Sequence, residues 1–174
     1  MPTYTERPGA AEFAPYYAPY IERVPNGDII GTLETQLDST LAALSKVPEE
    51  RGTFRYEPGK WSINDIVCHL SDAERVFAYR TLRIARGDKT PLSAFEQDDY
   101  VAVAGADGRD LSELLEEFAS VRRATLTLLR SFDPEVWTRQ GVANGNPVTV
   151  RALAYIMAGH ERHHLRVLSE RYGV

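Results

Sequence analysis

Four histidines stand in the 174-residue chain, and three of them, His160, His163 and His164, fall within the run VRALAYIMAGHERHHLRVLSERY over 150–172. Apolar residues recur there at Val150, Leu153, Met157, Val167 and Leu168, the spacing of a helix face turned toward a core. At about 100° per residue, His160 and His164 fall inside that stripe, while His163 points to one side. Residues four apart on a helix hold their β-carbons roughly 5–6 Å apart, so two imidazoles so placed can converge on one metal ion. The literal motif is H-E-x-x-H, met by His160, Glu161 and His164, which in zinc proteases supplies two ligands and a general base. Such a protease takes its third ligand from a later segment, and only ten residues follow His164, none of them His or Cys. The third ligand must come from upstream. The one remaining histidine is His69, in WSINDIVCHLSDAER.

Three neutral imidazoles leave an ion with an open position, as in catalytic rather than closed structural sites. Nitrogen ligands of this kind suit zinc and nickel, and also iron. Zinc in such a site brings the pKa of its water to about 7 and would hold a thiol as thiolate. Two reactions are therefore expected, hydrolysis of a small molecule or transfer of a low-molecular-weight thiol to an electrophile. The rival reading is a non-catalytic metal-containing protein that binds a small molecule or serves in a stress response. Because imidazole must be unprotonated to bind, occupancy is expected to fall below about pH 6.5.

The neighbouring side chains each carry two readings. Glu161 is a candidate base for the activated water, against the reading as a salt-bridged helix residue. Asp72, three residues after His69, and Asp65 are candidates to accept a histidine's second N–H, against cap or packing partners. Cys68 lies about 100° round from His69 and reads as a small packing residue. Trp61 and Trp137 read as loop anchors able to wall a pocket.

The elements that must position these residues are amphipathic helices. The first covers 28–46, with Ile30, Leu33, Leu37, Leu41 and Leu44 on one face and Pro48 just beyond its end. The second starts at Ser62, where Asp65 three residues on makes a short-armed capping box, and runs to about Arg86. Its core face is Ile63, Ile66, Val67, Leu70, Phe77 and Ile84, with His69 at the edge beside Ala73 and Arg80. The third takes Asp110 as N-cap and Glu113 at the third position, shows Leu111, Leu114, Leu115, Phe118, Val121, Leu128 and Phe132, and ends before Pro134. Residues 87–109 have no period and are expected to form an irregular connection, with Phe95 and Tyr100 as anchors and Gln97, Asp98 and Asp99 as polar groups. DPEVWTRQGVANGNPVT reads as a turn-rich link, without strands.

Four helices without strands make an all-α four-helix bundle, and the long middle connection leaves topologies other than up-down-up-down open. Residues 1–25 carry Pro2, Pro8, Pro15, Pro19 and Pro25 among Tyr4, Phe13, Tyr16, Tyr17 and Tyr20. Such proline density forbids a long helix, and the aromatics argue against a solvated tail, so an extended arm packed on a bundle of residues 26–174 is expected. The formal net charge of −5 weighs against nucleic acid as partner, since phosphate contacts need clustered Lys and Arg. No apolar run approaches the roughly 20 residues that span a bilayer, so a cytoplasmic protein without a membrane partner is expected. The single cysteine excludes an intrachain disulfide and a multi-cysteine zinc site.

RYEPGKWSINDIVCHLSDAERVFAYRTLRIARGD and VTVRALAYIMAGHERHHLRVL resemble the DinB-like family, with the match running from about Tyr20 to Tyr172. Its W-S/T-x-x-x-[IV] opening of the second helix matches at Trp61 and Ser62, and its acid three residues after the ligand matches at Asp72. The family includes bacillithiol S-transferases and proteins named as metal-dependent hydrolases. The resemblance implies that a second-helix histidine and an H-x-x-x-H pair of the last helix bind a divalent metal, which lands on His69, His160 and His164. It also implies an up-down-down-up bundle, a small-molecule substrate and a homodimer.

Overall fold

Proline and the apolar period set where the helices begin and end. The computed structural model describes residues 4–174; residues 1–3 of the expected arm, with Pro2, lie outside the described residues. The helices are α1 (Ala18–Glu22), α2 (Ile29–Leu44), α3 (Ile63–Ala85), α4 (Gln97–Ala104), α5 (Leu111–Arg130) and α6 (Val150–Val167), the last continuing as a π-helical turn over Leu168–Tyr172. The long ones, α2, α3, α5 and α6, form the bundle. Their starts show why the chain enters helix where it does. Asp28 accepts the Ile30 N–H at 3.1 Å, and Thr149 accepts the Ala152 N–H at 3.2 Å. Ser62 and Asp65 close the reciprocal box, each accepting the other's N–H at 2.9 Å. At α5 the expected side-chain bond from Asp110 is not made. Glu49, on a neighbouring turn, instead accepts the Leu111 and Ser112 N–H groups at 2.6 and 3.1 Å, because one carboxylate there satisfies two free donors at the positive end of the helix.

Bonds between helices give their directions. Gln36 and Thr40 of α2 meet Ala158 and Glu161 of α6 in the same order, so these two run parallel. Asn64 at the start of α3 reaches the Arg109 carbonyl just before α5, and Arg86 at its end lies over Phe132 just after α5, so this pair is also parallel. The Tyr172 hydroxyl, at the end of α6, donates to the Trp61 carbonyl before α3, so α6 and α3 are antiparallel. The course is up-down-down-up. Both α2 and α3 pack on α5 and α6, which places α2 and α3 across the bundle from each other.

A parallel α3 and α5 require the connection between them to travel back along the bundle. That connection is less irregular than expected, since it contains α4 and a turn at Ala106–Gly108. Helix α4 escapes a search for apolar period because none of its residues is buried. The turn-rich link before α6 also departs from expectation, forming a hairpin of β1 (Gln140–Ala143) and β2 (Asn146–Thr149). Asn144 and Gly145 both adopt positive φ, 50° and 70°, the primed turn that matches strand twist. Leu92 joins this hairpin, donating to the Val142 carbonyl at 2.9 Å and accepting from Asn144 at 3.0 Å, and so ties the long connection to it.

The arm lies across α6, its extended course broken by turns at Ala10–Glu12 and Pro15–Tyr17 and by α1. Pro15 and Pro19 sit in the first positions of these short helical pieces, where a missing N–H costs nothing. Tyr4 stacks on Trp137 with ring centres 4.3 Å apart, and Arg151 of α6 clamps Glu12 at 2.6 and 2.7 Å. Ile21 and Val24 are buried with Ile29, Leu33 and Leu153 in one apolar cluster. A second cluster, around Ile63, Val67, Leu114 and Leu168, fills the end of the bundle where α3 begins. Charge also enters the core. Arg122, fully buried, holds Glu74 at 2.7–3.0 Å and Glu161 at 2.9 Å, and donates to the Leu33 carbonyl at 3.0 Å.

Candidate metal centre

His69 lies in the second turn of α3, and His160 and His164 lie one turn apart on α6. Because the two helices are antiparallel neighbours, the early part of one meets the late part of the other, and the three imidazoles converge. The His160 Nε2 is 3.1 Å from the Nε2 of both His69 and His164. One ligand atom from each of the three lies within 4.8 Å of the others. Nitrogens bound at about 2.0–2.1 Å around a tetrahedral ion stand roughly 3.3–3.4 Å apart, so the two spacings at His160 fit an ion after a shift of a few tenths of an ångström. His69 and His160 are buried and His164 is half-buried.

Burial also sets their protonation. It is the first cause for each: it brings His69 down to about 4, His164 down to about 3 with help from the charges of His69 and His163, and His160 well below the ordinary histidine value. All three are neutral at pH 7, with lone pairs free to bind. The window in which protons compete on the folded protein is therefore lower than the expected 6.5, because the site desolvates the imidazolium.

The surrounding candidates separate. Glu161 points away from the histidines into the core, where Thr40 donates to one oxygen at 2.6 Å while Gln36 and Arg122 hold the other at 2.7 and 2.9 Å. With both oxygens engaged by Thr40, Gln36 and Arg122, it is committed to the core network and not free to serve as a base for the site. Asp72 pairs with Arg75 at 3.3 Å on the outer face of α3, and Asp65 is occupied by the cap and by Arg55 at 3.0 Å. Neither carboxylate orients a histidine. Cys68 is buried, and burial first, then Asp72 and Glu117, raise its pKa, so it stays a protonated packing residue. His163 lies beside the cluster, its ring 5.2 Å from that of His164, and is not among the convergent ligands.

Trp61 does wall the site, its ring stacked 6.2 Å from His164 and tilted 4.8 Å from His69, whereas Trp137 belongs to the arm's anchor. Two clefts of about 340 Å³ each reach the histidines. One opens on His69 and His160 beneath the arm; the other opens on His164 beside Trp61 and Lys60. Asp98 of α4 lines both. Tyr20 of α1 brings its ring 5.7 Å from His160 and 5.3 Å from His163. A site role for Tyr20 was not visible in the sequence beyond the aromatic density of the arm, which reads equally as packing.

An up-down-down-up bundle with three imidazoles converging from its second and last long helices defines a recognisable class of protein. Residues 32–168 match the DinB superfamily, and the chain belongs to it. Over 131 residues it is 25% identical to a provisionally named metal-dependent hydrolase of Geobacillus thermodenitrificans, covering 73% of this chain and 72% of that relative. YfiT from Bacillus subtilis, described as a probable metal-dependent hydrolase with an unusual four-helix bundle topology, superposes with a TM-score of 0.71 at 16% identity, over 97% of this chain and 94% of that one. A mycothiol-dependent maleylpyruvate isomerase superposes with a TM-score of 0.65 at 13% identity, over 83% of this chain and 61% of that one. These structural likenesses establish the fold. Among the described residues, no helix is long and apolar enough to cross a membrane.

Proposed function

We propose that this chain is a divalent-metal-dependent enzyme acting on a small molecule, with His69, His160 and His164 as its three metal ligands and hydrolysis as its reaction. The observation that carries this is the convergence of three neutral imidazoles, the Nε2 of His160 lying 3.1 Å from those of His69 and His164, with a cleft opening on each side of the cluster. Zinc, nickel or iron bound there would supply a Lewis acid with an open position and an activated water. The chain's own residues do the rest. The buried ion network holds Glu161, next to His160 on α6, and with it the rotation of the helix that carries His160 and His164. Trp61 and Tyr20 flank the imidazoles and keep bulk water from two sides. The clefts support a reacting ion over a purely structural one, since a sealed ion would need no access of 340 Å³ on either side.

A second reading, transfer of a low-molecular-weight thiol to an electrophile, is favoured by the presence of two clefts, because each partner of a two-substrate reaction would have its own approach. The names of the relatives support metal dependence in this fold and divide between hydrolysis and thiol chemistry. The deciding experiment reconstitutes the protein with zinc, nickel and iron separately and assays ester and amide hydrolysis beside thiol consumption with a panel of electrophiles. Hydrolysis without added thiol supports the first reading; turnover only with thiol supports the second; neither, in protein shown to hold metal, leaves the non-catalytic binder. A homodimer, implied by the resemblance, is part of the same proposal, and sedimentation velocity at micromolar concentration tests it.

A further inference from the structure

The cleft on the His69 and His160 side has a lining that the metal chemistry does not require. Its wall is aromatic, formed by Tyr16, Tyr17 and Tyr20 of the arm with Phe77 of α3, the Tyr17 and Tyr20 rings tilted at 44° and the other pairs meeting edge to face. Tyr16 meets Tyr17 at 76° and Tyr20 at 74°, and Tyr17 meets Phe77 at 81°, with ring centres 5.3–6.2 Å apart. The Tyr16 and Tyr20 hydroxyl oxygens are 3.4 Å apart, which concentrates phenol lone pairs on the same wall. The same cleft is lined by Glu96 and Asp98, both exposed, at the start of α4. Neither takes part in an ion pair among the described residues. No Lys or Arg lines the cleft.

Perpendicular aromatic faces with carboxylates nearby are complementary to positive charge spread over a small, weakly hydrated group, because ring quadrupoles present negative faces and the carboxylates add net charge. The same wall already takes a cation from behind. Arg80, buried and donating to the Ser93 carbonyl at 2.7 Å, sets its guanidinium 5.8 Å from the centre of Phe95, a further ring of this cleft. That guanidinium also acts on the Tyr17 side chain, so Tyr16 and Tyr20 are the tyrosines of the wall left to a ligand. An anionic ligand would meet Glu96 and Asp98 at the mouth and find no cationic side chain lining the cleft.

We propose that this cleft binds a small organic cation, an amine or quaternary ammonium, with its charged head between the tyrosine faces and the Glu96 and Asp98 carboxylates and its other end toward the three histidines. The orientation of the far end rests on the metal reading above; the ammonium subsite does not. The assignment makes the substrate a cationic compound rather than a carboxylate or phosphate.

Three probes of nearly equal shape separate the terms: choline, 3,3-dimethylbutan-1-ol and 3,3-dimethylbutanoate, titrated calorimetrically into the full chain, first metal-free and then zinc-loaded. In the metal-free protein choline should bind at least about tenfold more tightly than the alcohol, and the carboxylate should bind weakest. Tyr16→Leu, at a ring that is 67% exposed and so safe for the fold, should weaken choline at least about threefold, within the range of a single ring contact. The pair Glu96→Gln and Asp98→Asn should weaken choline and leave the alcohol unchanged. Equal or tighter binding of the alcohol or carboxylate to metal-free protein, no choline binding at millimolar concentration, or choline affinity indifferent to both sets of substitutions would each overturn the proposal. Metal content measured on the same samples reports separately on the three-histidine reading.

Discussion

Gly159 is where the arm, the last helix and the site meet, and replacing it by alanine gives a sign that decides whether the arm docks. A Cβ at this position would lie 2.0 Å from the Tyr20 carbonyl oxygen, 2.4 Å from its carbon and 3.0 Å from its Cα. All three are backbone atoms, so α1 must retreat by at least 1.0 Å to reach even the tightest contact of 3.0 Å. Over-packing of this kind costs about 1–3 kcal/mol. Against it stands the gain of roughly 1 kcal/mol from alanine over glycine inside a helix. The net is a loss of about 0–2 kcal/mol, and at about 2–4 °C per kcal/mol for a chain of this size the Tm should fall by a few degrees. Limited proteolysis should show faster cutting within residues 4–25, because Ile21 and Val24, buried at 4% and 3% exposure, lose their seat on α6. A Gly159→Ala protein that melts higher by about 2–4 °C, the full propensity gain, with the arm still protected, would refute the docked arm.

Further predictions concern charge. Arg122→Met leaves Glu74 and Glu161 buried without their cation and should cost about 3–5 kcal/mol in urea unfolding, whereas replacing all three by apolar residues of similar volume should recover most of it; equal stability of the single variant and the wild type would contradict the network. Acid should destabilise the metal-free protein from a definite point. The folded-state values of His69 and His164, about 4 and 3, lie below the ordinary 6.5, so the unfolded chain binds more protons and stability falls as pH drops from about 6.5 toward 4. Each of these two histidines contributes up to about 1.4 kcal/mol per pH unit over that window. Unfolding free energies that are flat between pH 7 and 5 would contradict the buried, neutral state of the cluster.

The four bundle helices and the three convergent histidines were legible because each depends on a period: the apolar stripes that bury a helix face also decide which histidines share that face. Helix α4 was not legible, since it buries no side chain and so leaves no stripe. The hairpin rests on four-residue strands, too short for alternation to stand out, and its one available signal was the Asn144-Gly145 pair between Val142 and Val148. Arg122 and Glu74 occupy core positions, Arg122 four residues from both Phe118 and Leu126 and Glu74 four from Leu70. Polar residues interrupting a stripe are a signal, but pairing them across helices needs the topology. The placement of Glu161 shows the same limit: the sequence sets it about 100° round α6 from His160, but that Gln36, Thr40 and Arg122 wait there to engage both oxygens needs the topology.

The central claim is one divalent ion per chain on His69, His160 and His164, and elemental analysis of purified protein tests it most directly. Wild-type protein, never exposed to chelator and reconstituted with zinc, nickel or iron, should hold close to one equivalent. His164→Ala should lose most of it, because two nitrogens remain of three. His163→Ala should keep it, since that ring stands outside the convergent set. Equal loss from both variants, or a wild type that retains no metal after reconstitution, would contradict the three-histidine centre.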